Sequence, residues 1–390
     1  MNYVFLSPAF PLNYYRFCVA LKRAGATVLG IGDTPYDELR QELREALIEY
    51  YRVDDLHNRE QLKWACEHFI HRYGSIDILE SHNEYWLETD AWLRSEYGIR
   101  GLKNEDMPVL KAKSRMKEVY RQAGIAVARG TVVTDRQAAE DFVAATGYPL
   151  VVKPDIGVGA GGAYRIANAE DLTAFFNNLP PEPYFMEEYI EGQIQTFDGL
   201  VDKNGEVVFF TSLAYHDGIM DNVLYQLDVT FHSARVVPAD MEEAGRRAVA
   251  AFGIRERFFH LEFFRCPDGR IVALEANMRP PGGPILDMMN FANDIDIFQE
   301  YANMIVRGTF DQSIYDPRER KYFCAFVSRR NSHSYLMSHN DILQRFGTFI
   351  VAHEPLPVAY SAAMGDYFYL LRSTDWDALS SARDSIRALA

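Results

Sequence analysis

The sequence predicts a multidomain protein of mixed α/β and α+β class, with an N-terminal open parallel sheet, two α+β units and a small C-terminal subdomain. Three observations predict it. The chain has 390 residues, more than one hydrophobic core of roughly 250–300 residues accommodates, and 48% of them are hydrophobic. Its first hundred residues alternate short apolar runs with amphipathic helical patterns, and from Asp311 onward the composition shifts to aromatic strands.

In order along the chain, Tyr3 to Leu6, Thr27 to Ile31 and Ile76 to Leu79 read as strands, and Tyr15 to Ala24 and Arg59 to Arg72 as helices. This is the βαβ rhythm of a parallel sheet, assigned to residues 1–105. A basic helix, Lys111 to Ala123, ends at Gly124. Strands Gly130 to Val133 and Leu150 to Pro154 then flank the helix Arg136 to Thr146, giving an α+β unit over 106–185. The segment Tyr184 to Tyr189 leads across into a unit over 186–310, with two strands joined by Asp202-Lys-Asn-Gly205, a helix capped by Asp240, and a hairpin turning at Asp268-Gly269. Residues 311–390, with Tyr322 to Val327, Tyr367 to Leu371 and a helix from Trp376, are expected to form a separate subdomain.

The hairpin is the most informative segment. With Asp268-Gly269 as a two-residue turn, Glu262 faces Glu275 and His260 faces Asn277. One face then carries these polar residues. The other carries Phe259, Leu261, Phe263, Val272, Leu274, Ala276 and Met278, a continuous apolar surface for the core. Two carboxylates about 4.5–5.5 Å apart repel unless a cation or a shared proton lies between them. Hard oxygen donors from Glu262, Glu275 and Asn277 suit Mg²⁺ or Mn²⁺. An acid/base dyad or a solvated polar face are the other readings, and a dyad leaves Asn277 unexplained.

Lys153 ends the apolar strand Val151-Val-Lys-Pro and leads into Gly157-Val-Gly159-Ala-Gly161-Gly162, whose backbone N–H groups suit phosphates. The string satisfies GxGxxG. A dinucleotide turn must open a helix at once, whereas Ala163-Tyr-Arg-Ile-Ala reads as another strand and the helix is capped later by Asn168, so a β-hairpin flap is expected. Lys113 shares a helical face with Met116 and Tyr120 and borders the buried side, unlike Lys111 or Lys117.

Lys113, Lys153, the glycine loop, Met186-Glu-Glu-Tyr-Ile-Glu-Gly192, Glu262 and Leu274-Glu-Ala-Asn-Met-Arg279 occur in the order that resembles the ATP-grasp superfamily, in particular its carboxylate–amine ligases. The resemblance runs from about Asn2 to Val306. It implies that residues 1–105 form the open-sheet domain that precedes the ATP-grasp fold. It further implies ATP and two Mg²⁺ (or Mn²⁺) ions as cofactors. Lys113 and Lys153 would contact the α- and β-phosphates, with Gly157, Gly159, Gly161 and Gly162 folding over the triphosphate. Glu187, Glu188, Tyr189 and Ile190 would form the hinge that reads adenine. Glu262, Glu275 and Asn277 would hold the metals. Arg279 would bind the γ-phosphate or the acyl phosphate as its charge moves. Family members often place a ribose-binding Glu just past the hinge glycine; here Gly192 is followed by Gln193-Ile-Gln195, so Gln195 or Glu191 takes that part.

The implied reaction activates a carboxylate as an acyl phosphate, which an amine then converts to an amide. A bicarbonate-activating carboxylase and a non-catalytic ATP-binding regulator are the alternatives. Substrate contacts are expected from Glu84 in Glu80-Ser-His-Asn-Glu84, from His216 in the loop His216-Asp-Gly-Ile-Met-Asp221, and from Gly282 and Gly283 at a helix start. A net charge of −15 argues against a nucleic-acid partner. No run approaches the ~18 apolar residues of a membrane span, and Pro8 and Pro11 interrupt any N-terminal signal pattern. Four cysteines without a CxxC pair fit a reducing, cytoplasmic setting. The expected partners are thus a small carboxylate and an amine, with a homodimer left open.

Overall fold

The computed structural model describes residues 1–157, 162–179, 182–216, 218 and 226–390. The first unit is a four-stranded parallel sheet in the order Glu49–Arg52, Thr27–Gly32, Asn2–Leu6, Ile78–Glu80. Tyr3 to Leu6 are buried without exception, as expected where helices cover both faces of a parallel sheet. The helix Tyr15–Ala24 places Phe17 against Phe298 and Tyr301 of the helix Ile297–Arg307, with ring centroids 4.8 and 5.4 Å apart. The N-terminal unit is therefore welded to the rest of the chain through a shared core.

The polar run after Ile78–Glu80 is partly structural. Glu80 is 6% exposed and is held by Arg94 at 2.8 Å and Arg257 at 2.7 Å, linking the parallel sheet to the distant hairpin.

The second unit is a four-stranded antiparallel sheet, Gly130–Val133, Tyr184–Glu188, Leu150–Pro154, Tyr164–Ile166, backed by the helices Arg136–Thr146 and Ala169–Asn177. The strand expected after the glycine loop is present, and Asn168 caps the helix behind it by accepting from the Asp171 N–H.

The basic helix divides at Ala112, which is extended, into Met107–Lys111 and Lys113–Gln122. Asp155 supplies the second helix with its cap from outside, accepting from Ser114 N and Ser114 Oγ, each at 2.8 Å. Lys111 and Lys117 were expected off the buried face; both are buried. Lys117 is 1% exposed and Lys111 8%, because the helix is wedged between the hairpin, the small sheet and the N-terminal unit.

The third unit is a nine-stranded antiparallel sheet in the order Ile271–Asn277, Arg257–Arg265, Gln193–Val201, Leu213–Tyr215, Thr230–Ser233, Phe323–Arg329, Tyr367–Ser373, Ile350–Pro355, with Val207–Thr211 paired beside Gln193–Val201. Here the expected independence of residues 311–390 is corrected: Phe323–Arg329 pairs with Thr230–Ser233, so the tail extends the central sheet. Paired backbones on two neighbouring edges satisfy their hydrogen bonds by continuing one another. Asp240 is also reassigned, since the helix Ala239–Ala251 starts after Pro238 and Asp240 pairs with Arg265. Among the described residues no helix is long and apolar enough to cross a membrane.

Candidate active site

The hairpin Arg257–Arg265/Ile271–Asn277 sets the floor of the site. Its turn differs from the expected one. Cys266 N donates to Arg270 O and Gly269 N to Cys266 O, each at 2.9 Å, so Pro267-Asp268-Gly269 makes the turn and Gly269 adopts φ +87°. That longer turn pairs Phe263 with Ala273. A bulge between Glu262 and Phe263 then restores the register, and Glu262 faces Glu275 and His260 faces Asn277 as expected. The two departures cancel. The bulge has one lasting effect: Ala273 takes the core position, and Leu274, expected in the core, turns to the cavity side.

Above this floor lies a cavity of about 220 Å³ between the small sheet and the hairpin. It is polarised along its length. Val151, Ala163, Ile190, Ile194, Phe264 and Leu274 line an apolar part, while Lys113, Lys153, Glu262, Glu275, Asn277 and Arg279 line a charged one. Glu187, Glu188, Tyr189 and Gly192 complete the edge where the two subdomains join.

Charges at the polar end are paired in a chain. Lys153 Nζ lies 2.6 Å and Lys117 Nζ 3.1 Å from the Glu187 carboxylate. Burial alone would raise the Glu187 pKa, but the two lysines outweigh it and hold it near 2. Burial opposes the charge on Lys153, yet Glu187 and Glu275 raise its pKa, so it stays a cation. Lys113 Nζ donates to the Gly157 carbonyl at 3.2 Å and lies 3.6 Å from Glu275.

The two facing carboxylates are not equivalent. Glu262 is half-buried, but accepts from His260 Nε2 at 3.0 Å, which keeps its pKa low, and Asp198 holds His260 Nδ1 at 2.5 Å from behind. Burial, with the Glu262 charge added to it, raises the Glu275 pKa against the pull of Lys113. Glu275 is thus a hard oxygen donor whose charged form lacks sufficient compensation. A divalent cation between Glu262, Glu275 and Asn277 would supply it, so the donor set fits Mg²⁺ or Mn²⁺.

A second cavity of about 290 Å³ meets the first at Arg279, which lines both. Glu84 and Gly282 line it. Glu84 bridges Lys111 at 2.9 Å and Arg279 Nε at 3.4 Å.

Residues 146–287 match the family model described as the ATP-grasp domain. The chain carries an ATP-grasp domain. Its fold is shared with an L-amino acid ligase from Bacillus licheniformis, at a TM-score of 0.73 and 14% identity over 97% of this chain and 95% of that one. It is shared too with the biotin carboxylase domain of a Hydrogenobacter thermophilus 2-oxoglutarate carboxylase, solved with MgADP and bicarbonate, at 0.71 and 16% over 97% of this chain and 89% of that one. In sequence it is similar to an L-arginine-specific L-amino acid ligase from Bacillus subtilis, 27% identical over 269 residues, 66% of this chain and 64% of that ligase. It also resembles the C-terminal section of the carbamoyl phosphate synthase large chain from Methanopyrus kandleri, 26% identical over 151 residues, 37% of this chain and 27% of that one. The chain thus spans less than two thirds of the length of these two sequence relatives.

Within the ATP-grasp cleft the structure gathers Lys113, Lys153, Glu187, Glu188, Tyr189, Ile190, Glu262, Glu275, Asn277 and Arg279. Gly157 contributes its carbonyl to Lys113, and Gly162 takes φ +74° beside Pro154. Gly159 and Gly161 lie outside the described residues. Three expectations fail on geometry. Gln195 sits on the opposite strand face from Ile194 and accepts from Arg265 Nε at 3.2 Å, away from the cleft; alternation along a strand makes the two faces exclusive. His216 stacks on His232 and accepts from Arg383 at 2.7 Å, and lines neither cavity; the rest of its loop, apart from Gly218, which lines the cleft, is not described. Gly283 lies across from Met364 and lines a separate groove, although its neighbour Gly282 lines the second cavity.

Sequence reasoning missed Leu274 and Phe264, which wall the apolar part, and Lys117, which buttresses Glu187. Phe264 was within reach, since it alternates in step with Glu262. Nothing local marks the bulge that exposes Leu274.

Proposed function

We propose that the protein is an ATP-dependent carboxylate–amine ligase that forms an amide, peptide-like bond through an acyl phosphate and releases ADP and phosphate. One observation carries this reading: a polarised cleft suited to a nucleotide and a second, organic-sized cavity meet at one guanidinium, Arg279. A phosphoryl group at the charged end of the cleft and a carboxylate in the second cavity would then lie on either side of the same cation.

In this reading the apolar part takes the base, with Glu187 to Ile190 at its edge, and Lys113 and Lys153 hold the phosphates. Glu262, Glu275 and Asn277 would hold Mg²⁺, which when bound would supply positive charge to offset that of the phosphates. The substrate carboxylate attacks the γ-phosphorus in line while the bond to ADP breaks, and Arg279 stabilises the charge that spreads over the phosphoryl oxygens. The incoming amine displaces phosphate and loses a proton. No protein nucleophile is required; all four cysteines are buried, and burial pushes the Cys66 thiol up to about 12.

A bicarbonate acceptor would leave most of the 290 Å³ cavity unfilled, which favours an organic carboxylate. The test is phosphate release from ATP and Mg²⁺ against amino acids and small carboxylates, singly and in pairs, in wild type and Glu275→Ala. Turnover that requires a carboxylate with an amine and disappears in the variant supports the ligase. ATP binding without turnover, indifferent to the substitution, would favour a regulatory role.

A further inference from the structure

The second cavity has a composition that the ligase reading does not require. It is built from distant parts of the chain: Phe10 and Tyr14 from the N-terminal unit, Tyr215 and Phe231 from the central sheet, and Tyr360 and Met364 from the helix Val358–Met364. Phe10 and Tyr360 stack across its mouth with centroids 6.0 Å apart, and Tyr215 and Phe231 lie 4.8 Å apart on its wall. At about 290 Å³ it falls just below the usual range for organic ligands, roughly 300–1,000 Å³, which suits a ligand of amino-acid size.

Its charges are confined to one end. Arg279 and Glu84 stand where the cavity meets the cleft, and His260 beside them is engaged by Asp198 and Glu262. Arg279 Nε is buried, makes no hydrogen bond within the described structure and has only the Glu84 carboxylate near it, at 3.4 Å, so the guanidinium can also attract a substrate anion. Glu84, the one carboxylate among the described lining residues, is already engaged by Lys111 at 2.9 Å and, more loosely, by Arg279 at 3.4 Å. His82 stacks on Phe17 at 4.3 Å, and burial keeps it neutral, its pKa pulled down to about 3. Away from Arg279 and Glu84, a charged side chain lying in this cavity would be desolvated with no counter-charge among the described lining residues. An apolar side chain would replace water against aromatic walls.

We propose that this cavity holds an amino-acid substrate with an uncharged apolar side chain, of the leucine, methionine or phenylalanine kind, its carboxylate directed at Arg279 and its side chain between Phe231 and Met364. The proposal rests on the ligase reading for what happens to that amino acid next. Its selectivity would differ from that of the arginine-specific relative, because the described lining offers no second carboxylate to receive a guanidinium.

The test is calorimetric titration of the full chain, with Mg²⁺ and a non-hydrolysable ATP analogue present, against leucine, methionine and phenylalanine and against lysine, arginine and glutamate. At least tenfold tighter binding of the apolar set is expected. Met364→Glu, at the end of a surface helix, should weaken leucine about tenfold and bring lysine to comparable or tighter binding, whereas Met364→Leu should keep the wild-type ranking. Equal or tighter binding of the charged set to wild type, no binding of any amino acid, or an unchanged ranking in Met364→Glu would overturn the proposal. Amide formation with charged amino acids preferred would sink the cavity assignment and leave the ligase standing. The predicted binding ranking without amide formation would do the reverse.

Discussion

Replacing Glu187 by glutamine removes one charge and almost no volume from a buried ion cluster at the edge of the cleft. Lys117 and Lys153 lie 3.1 and 2.6 Å from its carboxylate, and the side chains of Glu187, Lys117 and Lys153 are 5%, 2% and 11% exposed. After the substitution both cations remain with no counter-charge between them. The lysines hold the Glu187 pKa near 2 against an ordinary 4.5, and at ~1.36 kcal/mol per pKa unit this corresponds to about 3 kcal/mol. That agrees with the roughly 3–5 kcal/mol lost when one partner of a buried pair is removed. At about 2.1 cal/mol/K per residue over 390 residues, 3 kcal/mol lowers the melting temperature by about 4 °C. The assay is scanning calorimetry of wild type and Glu187→Gln from pH 7 downward. A depressed folded-state pKa gives stabilisation that is complete above the unfolded value and is lost as pH falls towards the folded one. The gap between the proteins should therefore be full at pH 7, shrink from pH 4.5 downward and close near pH 2. Adding Lys117→Met to Glu187→Gln should restore most of the loss, since one orphaned cation then disappears. A Glu187→Gln protein melting within about 1 °C of wild type at pH 7, or a gap that persists unchanged at low pH, would refute the electrostatic account.

Arg279→Lys should lower kcat by about 10²-fold or more while changing the KM for ATP less than about threefold, because a point charge cannot reproduce the guanidinium's planar set of donors at the transferring group; steady-state phosphate release measures both. Gln195→Ala should leave the KM for ATP within about twofold of wild type, since its side chain faces Arg265; a large rise would return it to the nucleotide site. Gly245→Val should cost about 2–3 kcal/mol, read as a fall of a few degrees in melting temperature, because even a Cβ there would lie 2.2 Å from the Phe197 ring.

How far the site was legible depended on whether its signal was local. The pairing of Glu262 with Glu275 could be read because a hairpin is closed by neighbouring residues and its apolar face confirms the register. Even so, the turn and the bulge were both missed, and the pairing survived because their offsets are opposite. Lys153 stood out at the end of an apolar strand. Lys117 did not, since a lysine on a basic helix announces nothing until Glu187 and the Ala273 carbonyl, 2.9 Å away, are brought to it. Gln195 was misplaced by counting from Gly192, when strand alternation past the hinge decides which side chain enters the cleft.

By itself the sequence determined the class of the fold, the parallel N-terminal sheet, the helix and strand limits of the small subdomain, and the types of residue in the cleft. These follow from periodicity, turns and spacing, which act over a few residues. The tertiary structure decided the rest: that the last eighty or so residues continue the central sheet, that three helix lysines are buried, and that Phe10, Phe231 and Met364 enclose one cavity beside Arg279. Each of those depends on contacts between segments far apart in the chain, whose geometry is fixed only when the layers pack together.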